Sequence, residues 1–320
     1  MKKFLKHIIL YSLLLMVATA AILTYSVTQL NKDRYFLLKP AASNVFLGYS
    51  HVQFSIADSI LPSSRNLGMK GEAYVFTLIK ARKIFQNNPS IKNAFIEVSN
   101  KQFNVYMDSC IWQDQFLKPR IPRFLSVMNA EEFSLLFSKN KSGTISGMTD
   151  FPRQNFVALS RNGDDVMRRM EWGGYRSLAG NKLPDDLKRI RALGYDPDTL
   201  DNQLSLTNIL YLQKLVQLCR EHSIKVWFFR TPMHPKSGDR TNEIVFQQIL
   251  KSKFADIPFF DFIDLDLPDD EYFDINHLNQ KGAKRFSGFL GDFFTYDLWN
   301  YSGNKLEMIH DRWHAFSWKY

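Results

Sequence analysis

Two short sets of residues, far apart in the chain, have the types and spacing that acyl-transfer chemistry requires. The first is NVFLGYSH, residues 44–51, where an apolar run ends at Gly48 and Ser50 follows at the start of a helical stretch. If the run is a strand of a parallel α/β sheet, Ser50 faces the crevice at the carboxyl ends of the strands, with its N–H at the positive helix end. Ser50 is a candidate nucleophile, although serine is also a common helix N-cap.

The second set lies near the other end of the chain, where Asp274 and His277 are three residues apart, just before a helix predicted from about Gly282 to Phe293. This spacing lets a carboxylate orient an imidazole and stabilise its charged form while the other ring nitrogen faces a serine. Asp-x-x-His can also bind metal, but no further His or Cys cluster has ligand spacing, so we expect neither metal nor cofactor. A solvated loop without a catalytic role is the other interpretation.

The elements that would position these residues alternate between strands and helices. The pattern predicts strands within residues 44–50, 65–71, 94–99 and 224–230 and from Phe259, and helices at 54–61, 72–86, 209–222, 243–252 and about 282–293. Such alternation predicts an α/β fold with a parallel sheet covered by helices on both faces.

The alternation of strands and helices is absent between about 102 and 206, and we interpret this region as an insertion within a domain spanning 44–295. Structural elaboration and a ligand-binding lid both remain open for it. The aromatic tail, residues 296–320, carries three tryptophans and is expected to pack on the domain, with the lipid interface as the alternative. Cys110 and Cys219 have no metal or redox spacing and are expected to be packed thiols.

Residues 8–27 hold no charged side chain and are long enough to cross a bilayer as a helix. We predict a cytoplasmic N-terminus at 1–7, a transmembrane anchor at 8–27 and a stalk at 28–43. Lys2, Lys3 and Lys6 before the helix favour a cytoplasmic N-terminus with the domain on the other side of the membrane. The location that we expect is a bacterial inner membrane, with the domain in the periplasm or outside. A cleaved signal peptide is the alternative, because Ala18, Thr19 and Ala20 form a small-residue site.

The charge balance of 41 Lys and Arg against 32 Asp and Glu gives a net +9, which by itself would suit nucleic acid. Part of the excess flanks the predicted membrane helix, where it would meet anionic headgroups. The sequence has no basic helix with interleaved aromatics and no glycine-rich phosphate loop, so we expect no nucleic-acid partner.

Taken together, the two ends resemble the SGNH hydrolase family, also called GDSL-type lipases and esterases. Two further blocks match in order: NLGMKG, which ends at Gly71, and IEVSN, which ends at Asn100. The resemblance implies a flavodoxin-like three-layer sandwich with a parallel sheet. It also implies a triad of Ser50, His277 and Asp274 and an oxyanion hole formed by the N–H groups of Ser50 and Gly71 and the amide of Asn100.

The chain departs from the family pattern at two places. Tyr49 stands where the family usually has Asp, and Asn100 lacks the usual Gly-x-Asn-Asp context, which leaves Asn104 as an alternative. His51 and His234 are further candidates for substrate binding, because they lie beside Ser50 and after the fourth strand.

The resemblance implies that the protein is a membrane-anchored serine esterase or O-acyltransferase. The substrate that we expect is an O-acyl ester of a cell-envelope glycan, with acetyl as the acyl group. The expected partners are an acylated polysaccharide or another envelope ester, the membrane through the N-terminal helix, and an integral membrane acyl-transfer protein. An inactive protein of the same fold, serving as a binding or assembly factor in polysaccharide export, is the alternative. Hydrolases and transferases share this triad, so the sequence does not distinguish ester hydrolysis from acyl transfer.

Overall fold

A computed structural model of the chain describes residues 2–30, 32–160 and 172–316. The chain divides into two compact units. One, called the sheet unit here, comprises Leu38–Ile111 and Trp172–Tyr320, and the other, the helical unit, comprises Met1–Leu37 and Trp112–Glu171.

The sheet unit is built on five parallel strands, which confirms the predicted α/β class with a parallel sheet. The strand order is β2-β1-β3-β4-β5. The strands are β1 Asn44–Leu47, β2 Ser64–Asn66, β3 Asn93–Glu97, β4 Lys225–Arg230 and β5 Phe259–Asp261. All of β1 is buried, as expected for a strand covered on both faces.

Helices connect the strands and make up most of the described part of the helical unit. In chain order they are α1 Lys2–Leu30, α2 Ser50–Ser55, α3 Tyr74–Asn87, α4 Asn100–Phe103, α5 Tyr106–Trp112, α6 Asp114–Phe124, α7 Ala130–Lys139, α8 Lys141–Ser160, α9 Leu183–Leu193, α10 Leu206–Glu221, α11 Glu243–Lys253, α12 Gln280–Thr295 and α13 Lys305–Ala315.

The helix after β1 differs in extent from the sequence prediction, which placed a helix start at Ser50 and an amphipathic helical stretch at 54–61. It begins at Ser50 and ends at Ser55, because the side chain of Asn66 in β2 donates hydrogen bonds to the carbonyls of Val52 and Ile56, both at 2.8 Å. These bonds satisfy carbonyls that a helix end leaves unpaired, so the chain can turn away after one and a half turns.

The C-terminal tail packs on one face of the sheet. The ring of Trp299 lies 4.5 Å from that of Phe95 and 4.9 Å from that of Phe260, and Trp313 is also buried. Trp227 Nε1 donates a hydrogen bond to the carbonyl of Trp299 at 2.8 Å. Trp318 lies outside the described residues.

The region interpreted as an insertion, 102–206, is shared between the two units. Residues 112–160 form helices of the helical unit, in which α6 and α8 approach closely at Gly147, where a Cβ would lie 2.5 Å from Ile121 Cβ. Residues 172–206 belong to the sheet unit and include α9. Cys110 and Cys219 are buried free thiols.

Helix α1 contains a span, Lys3–Gln29, that is long and apolar enough to cross a membrane, with a mean hydropathy of 2.2. A signal sequence near an N-terminus would have the same properties, so the span itself does not distinguish an anchor from a cleaved leader.

Candidate active site

Ser50, His277 and Asp274 meet at the carboxyl edge of the sheet in one hydrogen-bonded row. Ser50 Oγ lies 2.9 Å from Nε2 of His277. The other ring nitrogen, Nδ1, lies 2.9 and 3.0 Å from the two carboxylate oxygens of Asp274. With the ring proton on Nδ1, the imidazole donates to Asp274 and accepts from the Ser50 hydroxyl, which is the arrangement a general base needs.

Ser50 owes its position to a tight turn after β1 that only glycine fits. A Cβ at Gly48 would lie 2.5 Å from Val52 Cγ2 and 2.8 Å from Glu97 Cβ, so the chain could not pass so close to α2 and β3 with any larger residue. Ser50 is the first residue of α2, and its N–H therefore has no acceptor within the helix. This N–H is a donor beside the hydroxyl that would react.

His277 and Asp274 are held by a compact loop. The N–H of Phe273 donates to the carbonyl of His277 at 2.8 Å, which closes the loop on itself. Asp274 Oδ1 accepts from the N–H groups of Asn276 at 2.9 Å and His277 at 2.8 Å. The carboxylate is therefore fixed by backbone donors before it orients the imidazole.

The same loop is anchored to the start of α12. Asn279 caps this helix by accepting from the N–H groups of Lys281 and Gly282, and its Nδ2 donates to the carbonyls of Asp270 at 2.7 Å and Tyr272 at 3.2 Å. A Cβ at Gly282 would lie 2.3 Å from the Glu271 carbonyl oxygen, so glycine permits this close approach. The sequence block 274–283 is thus one folded unit.

The site's electrostatics follow from these bonds. Burial by itself would raise the pKa of Asp274, but the hydrogen bond and positive charge from His277 and the two backbone N–H donors outweigh it and lower that pKa. Asp274 therefore stays ionised at neutral pH. The His277 ring is also packed edge-on by the rings of His51 and Phe54, each with centroids 5.3 Å away.

Gly71 lies in a turn that follows β2 and borders α2. Its φ of +65° is in the left-handed region that favours glycine. The turn is closed by a hydrogen bond from the Glu72 N–H to the Met69 carbonyl at 3.0 Å. The N–H of Lys70 donates to Gln53 Oε1 of α2 at 2.9 Å, which ties the turn to the helix that begins with Ser50.

The Asn100 amide is engaged elsewhere. Its Nδ2 donates to Glu243 Oε2 at 3.0 Å, and its Oδ1 accepts from Arg230 Nη1 at 2.6 Å. Arg230 also pairs with Asp261, so Asn100 belongs to a buried ion-pair network at the ends of β3, β4 and β5. No hydrogen bond within the described chain connects this amide to Ser50, and the contact with Glu243 uses one of the two N–H groups on Nδ2.

Asn104, the alternative, is also committed to the local fold. Its Nδ2 donates to the carbonyl and to Oδ1 of Asp201, both at 3.0 Å, and its Oδ1 accepts from the N–H of Tyr106 at 2.9 Å.

His51 and His234 were candidates for substrate contact. His51 is only 1% exposed and faces Tyr49 and Glu97 beneath the triad, so direct contact with a substrate does not fit its position. His234 Nδ1 accepts from the Lys236 N–H at 3.2 Å, and its Nε2 lies 3.4 Å from Asp269 Oδ1. It supports the loop that precedes Asp274.

Sequence reasoning missed a backbone segment, residues 172–182, that borders both halves of the site. A Cβ at Gly173, whose φ is +123°, would lie 2.3 Å from the Leu67 carbonyl oxygen, so the Gly-Gly pair at 173–174 was the available signal. The segment donates hydrogen bonds from Gly174 to the Gly68 carbonyl, from Arg176 to the Gln53 carbonyl and from Lys182 to the Phe273 carbonyl.

Asp186 of α9 was also missed. Its Oδ2 accepts from the N–H of Ile275, within the loop between Asp274 and His277, at 3.1 Å. It lies in the stretch that the sequence suggested was an insertion, and this contact makes α9 a brace for the candidate site. Within residues 2–30, 32–160 and 172–316, no three His, Cys, Asp or Glu side chains are grouped as a metal site would require.

Comparison with known proteins adds little to this geometry. Residues 176–297 match the model of an uncharacterised protein family, which covers less than half of the chain. The matched range includes β4, β5 and the Asp274–His277 loop, but not Ser50. No curated protein matches the chain.

Proposed function

We propose that this chain is a membrane-anchored serine esterase or O-acyltransferase of the SGNH type. The observation that carries the proposal is the row from Ser50 Oγ through His277 to Asp274, with its contacts of 2.9 to 3.0 Å. Ser50 and His277 are 227 positions apart in the chain, and each is held at this contact by a tight turn or loop of the backbone.

In the first half-reaction, Ser50 Oγ attacks the ester carbonyl carbon while His277 Nε2 takes the hydroxyl proton. The tetrahedral intermediate collapses, the C–O bond to the alcohol breaks, and the alcohol oxygen takes the proton from His277. Ser50 then carries the acyl group. Asp274 stabilises the imidazolium that exists between the two proton transfers.

In the second half-reaction, water or a sugar hydroxyl attacks the acyl-serine, with His277 again taking and returning the proton. Water gives hydrolysis and a sugar hydroxyl gives acyl transfer. Both outcomes use the same residues, so the choice rests on which acceptor reaches the acyl-serine. An assay with acyl donor and polysaccharide together, following whether acyl groups arrive on the glycan or leave it, separates the two.

The oxyanion would be held by the N–H of Ser50 at the start of α2 and by the N–H of Gly71. The turn of Gly71 is tied to α2 through Gln53, which supports this pairing. Preorganised donors of this kind contribute roughly 3 kcal/mol each to the transition state. We assign Asn100 to the Arg230 network instead.

The proposed substrate is an O-acyl ester, preferably an acetyl ester, of a cell-envelope glycan, and this step rests on the family resemblance alone. We further propose that α1 anchors the protein in a bacterial inner membrane, with the sheet unit outside the cytoplasm. Protease protection of the sheet unit in intact spheroplasts would contradict this topology, and digestion from outside is the expected result.

A binding or assembly factor of the same fold without catalysis is the second candidate. The engagement of the Asn100 amide by Glu243 and Arg230 favours it, because the resemblance implies a third oxyanion donor at that position. A fluorophosphonate probe, which phosphonylates activated serines, distinguishes the candidates. Labelling of folded wild type supports the enzyme, and its absence supports the factor.

A further inference from the structure

A second histidine and carboxylate lie directly beneath the triad. The Nδ1 of His51 is 3.6 Å from Glu97 Oε1, and its Nε2 is 3.4 Å from the Tyr49 hydroxyl. That hydroxyl is in turn 3.3 Å from Ser99 Oγ. These four side chains, Tyr49, His51, Glu97 and Ser99, are called the buried cluster below. The imidazole ring of His51 is the part of this cluster that packs edge-on against the ring of His277.

The cluster is buried, and its polar groups are poorly compensated. Glu97 is 0% exposed, and neither of its carboxylate oxygens nor Nδ1 of His51 has a hydrogen-bond partner of normal geometry among the described residues. An ionised carboxylate in such a place would lack the donors that stabilise it. The carboxyl group is also pressed against the Gly48 turn, since a Cβ there would lie 3.3 Å from Glu97 Oε2.

The charged state of each group follows from this burial. Burial raises the pKa of Glu97 to about 8, although Ser99, Gln102 and Arg230 act in the other direction. Burial, followed by the charge of His277, lowers the pKa of His51 to about 3. Burial also raises the pKa of Tyr49 well above its ordinary value.

Other titratable groups face the cluster from the elements around it. Asp239 and Asp274 favour a proton on His51, and Lys101 opposes it. Tyr74 of α3 donates its hydroxyl to the backbone carbonyl of Glu97 at 2.7 Å, and Arg230 of β4 favours ionisation of Glu97. The effect of burial exceeds all of these, so the cluster holds its proton on Glu97 and leaves His51 neutral around pH 7.

We propose that Glu97 and His51 form an uncharged acid–imidazole pair that positions His277 and keeps the floor of the candidate active site free of charge. Both are positioning residues, because they act through His277 and contact no substrate. The proposal rests on the proposed function only for its effect on catalysis.

A protonated Glu97 gives every contact in the buried cluster one donor and one acceptor. Its O–H would then face His51 Nδ1 across 3.6 Å, the His51 Nε2–H would donate to the Tyr49 oxygen, and the Tyr49 O–H would donate to Ser99 Oγ. When Glu97 ionises, the order reverses: His51 carries its proton on Nδ1 and accepts at Nε2 from the Tyr49 hydroxyl. One proton on Glu97 therefore sets the tautomer of His51 and the direction of the whole row.

The neutral state matters for the reaction next to it. His277 must become positively charged while Ser50 attacks, and a cationic His51 whose ring touches it would oppose that charge. An ionised Glu97 would instead place an uncompensated negative charge below the forming oxyanion. A neutral pair avoids both penalties and still supplies a rigid ring edge for His277.

Nuclear magnetic resonance of the full-length wild-type protein with ¹⁵N-labelled histidine reports the protonation state and the tautomer of His51 directly. The His51 signals are assigned by their loss in His51→Asn. We expect a neutral imidazole protonated on Nε2 at about pH 6, which changes to the Nδ1 tautomer as Glu97 ionises near pH 8. Imidazolium signals from His51 at about pH 6 would overturn the proposal, as would an Nδ1 proton throughout this range.

The catalytic consequence is tested by the rate of fluorophosphonate labelling against pH. We expect a change of slope near pH 8 in wild type that is absent in Glu97→Gln, which keeps the size but cannot ionise. Glu132→Gln is the matched control, because Glu132 is 1% exposed and lies in the capping box of α7. The Glu132→Gln variant should keep the change of slope near pH 8. Superimposable wild-type and Glu97→Gln profiles would refute the link to His277. If wild type is not labelled at any pH, the proposed function fails, while the resonance experiment still decides the state of the pair.

Discussion

Two histidine–carboxylate pairs lie side by side in this protein, with the two imidazole rings 5.3 Å apart, and their surroundings are opposite. In the upper pair, His277 and Asp274 make two contacts of 2.9 and 3.0 Å, and Asp274 also accepts from two backbone N–H groups. In the lower pair, His51 and Glu97 are 3.6 Å apart, and the carboxylate oxygens have no such donors within the described chain.

The difference shows that depth of burial and the available hydrogen-bond donors together decide the charge of a buried carboxyl group. Both carboxyl groups suffer desolvation, which raises the pKa of an acid. For Asp274 the hydrogen bonds and the charge of His277 reverse that effect. Glu97 is more deeply buried, and its oxygens have no donor of normal geometry among the described residues. The upper pair can therefore stabilise charge during a reaction, and the lower pair provides packing without charge.

The largest predicted effect comes from the upper pair. His277→Ala removes the general base, and we expect the rate of ester cleavage or acyl transfer to fall by about 10⁶-fold, as for loss of a base in other serine hydrolases. Activity with a model acetyl ester measures this. A variant with more than about one-tenth of the wild-type rate would remove His277 from the mechanism.

Asp274→Asn comes next. The amide keeps the size of the side chain but cannot stabilise an imidazolium, and it favours the wrong tautomer of His277, so we expect a loss of about 10⁴-fold. The same ester assay measures it, with thermal unfolding to show that the loop 273–277 remains folded. A loss of less than tenfold would mean that the upper pair is merely structural.

Asn100→Ala separates stability from catalysis. Because the Asn100 amide bonds to Arg230 and Glu243, we expect unfolding free energy to fall by about 1–3 kcal/mol, the usual cost of leaving buried polar groups unpaired. Denaturant unfolding gives this value. The labelling rate should change by less than about tenfold, and a loss of about 10²-fold or more would restore Asn100 as an oxyanion donor.

Glu97→Gln tests the charge state of the lower pair through the pH dependence of protein stability. A carboxyl group with a raised native pKa stabilises the fold fully below its unfolded pKa, near 4.5, and that stability is lost as pH rises to about 8. The variant should therefore become more stable than wild type as pH rises across this window. Each kcal/mol would appear as a difference of roughly 2–4 °C in Tm. A difference that is constant with pH would contradict the neutral Glu97.

The smallest effect is expected at an exposed pair close to the same loop. Lys281 Nζ lies 2.6 Å from Asp270 Oδ2, but both side chains are well exposed. Asp270→Asn should change the free energy of unfolding by about 0.5 kcal/mol or less, since solvent screens such pairs and the contact of Lys281 with the buried Glu271 stays in place. A larger change in denaturant unfolding would show that the loop depends on surface charge and not on its backbone bonds.

Several features could be predicted from the sequence because they depend on local spacing. The parallel sheet follows from the alternation of apolar runs with helical stretches. Asp274 and His277 are three residues apart on one turn, and Gly48 and Ser50 mark a strand that ends in a helix. In each case the residues that matter are close enough in sequence for their geometry to be limited by the backbone.

The remaining features depend on contacts between distant parts of the chain. Asn100 follows β3 in the expected place, but its amide is taken by Arg230 and Glu243, which come from β4 and α11. Glu97 looks in sequence like an ordinary polar residue within a strand, and its burial appears only when Gly48, Tyr49 and His51 close over it.

Asp186 and the segment 172–182 were hidden for a different reason. They lie in a stretch without a regular pattern of apolar residues, so the sequence analysis assigned them to the same insertion as the helices of the helical unit. Asp186 acts through its carboxylate, which accepts from the N–H of Ile275. The segment 172–182 acts through backbone groups, which carry no residue-type signal apart from the glycines at 173 and 174.

The central claim is that Ser50 is an activated nucleophile served by His277 and Asp274. The most direct measurement is labelling of the full-length protein in membranes with a fluorophosphonate probe, followed by peptide mass spectrometry. We expect a single phosphonyl group on Ser50 in wild type and none in Ser50→Ala or His277→Ala. Folded wild-type protein that takes up no label, or a Ser50→Ala variant labelled as fast as wild type, would contradict it.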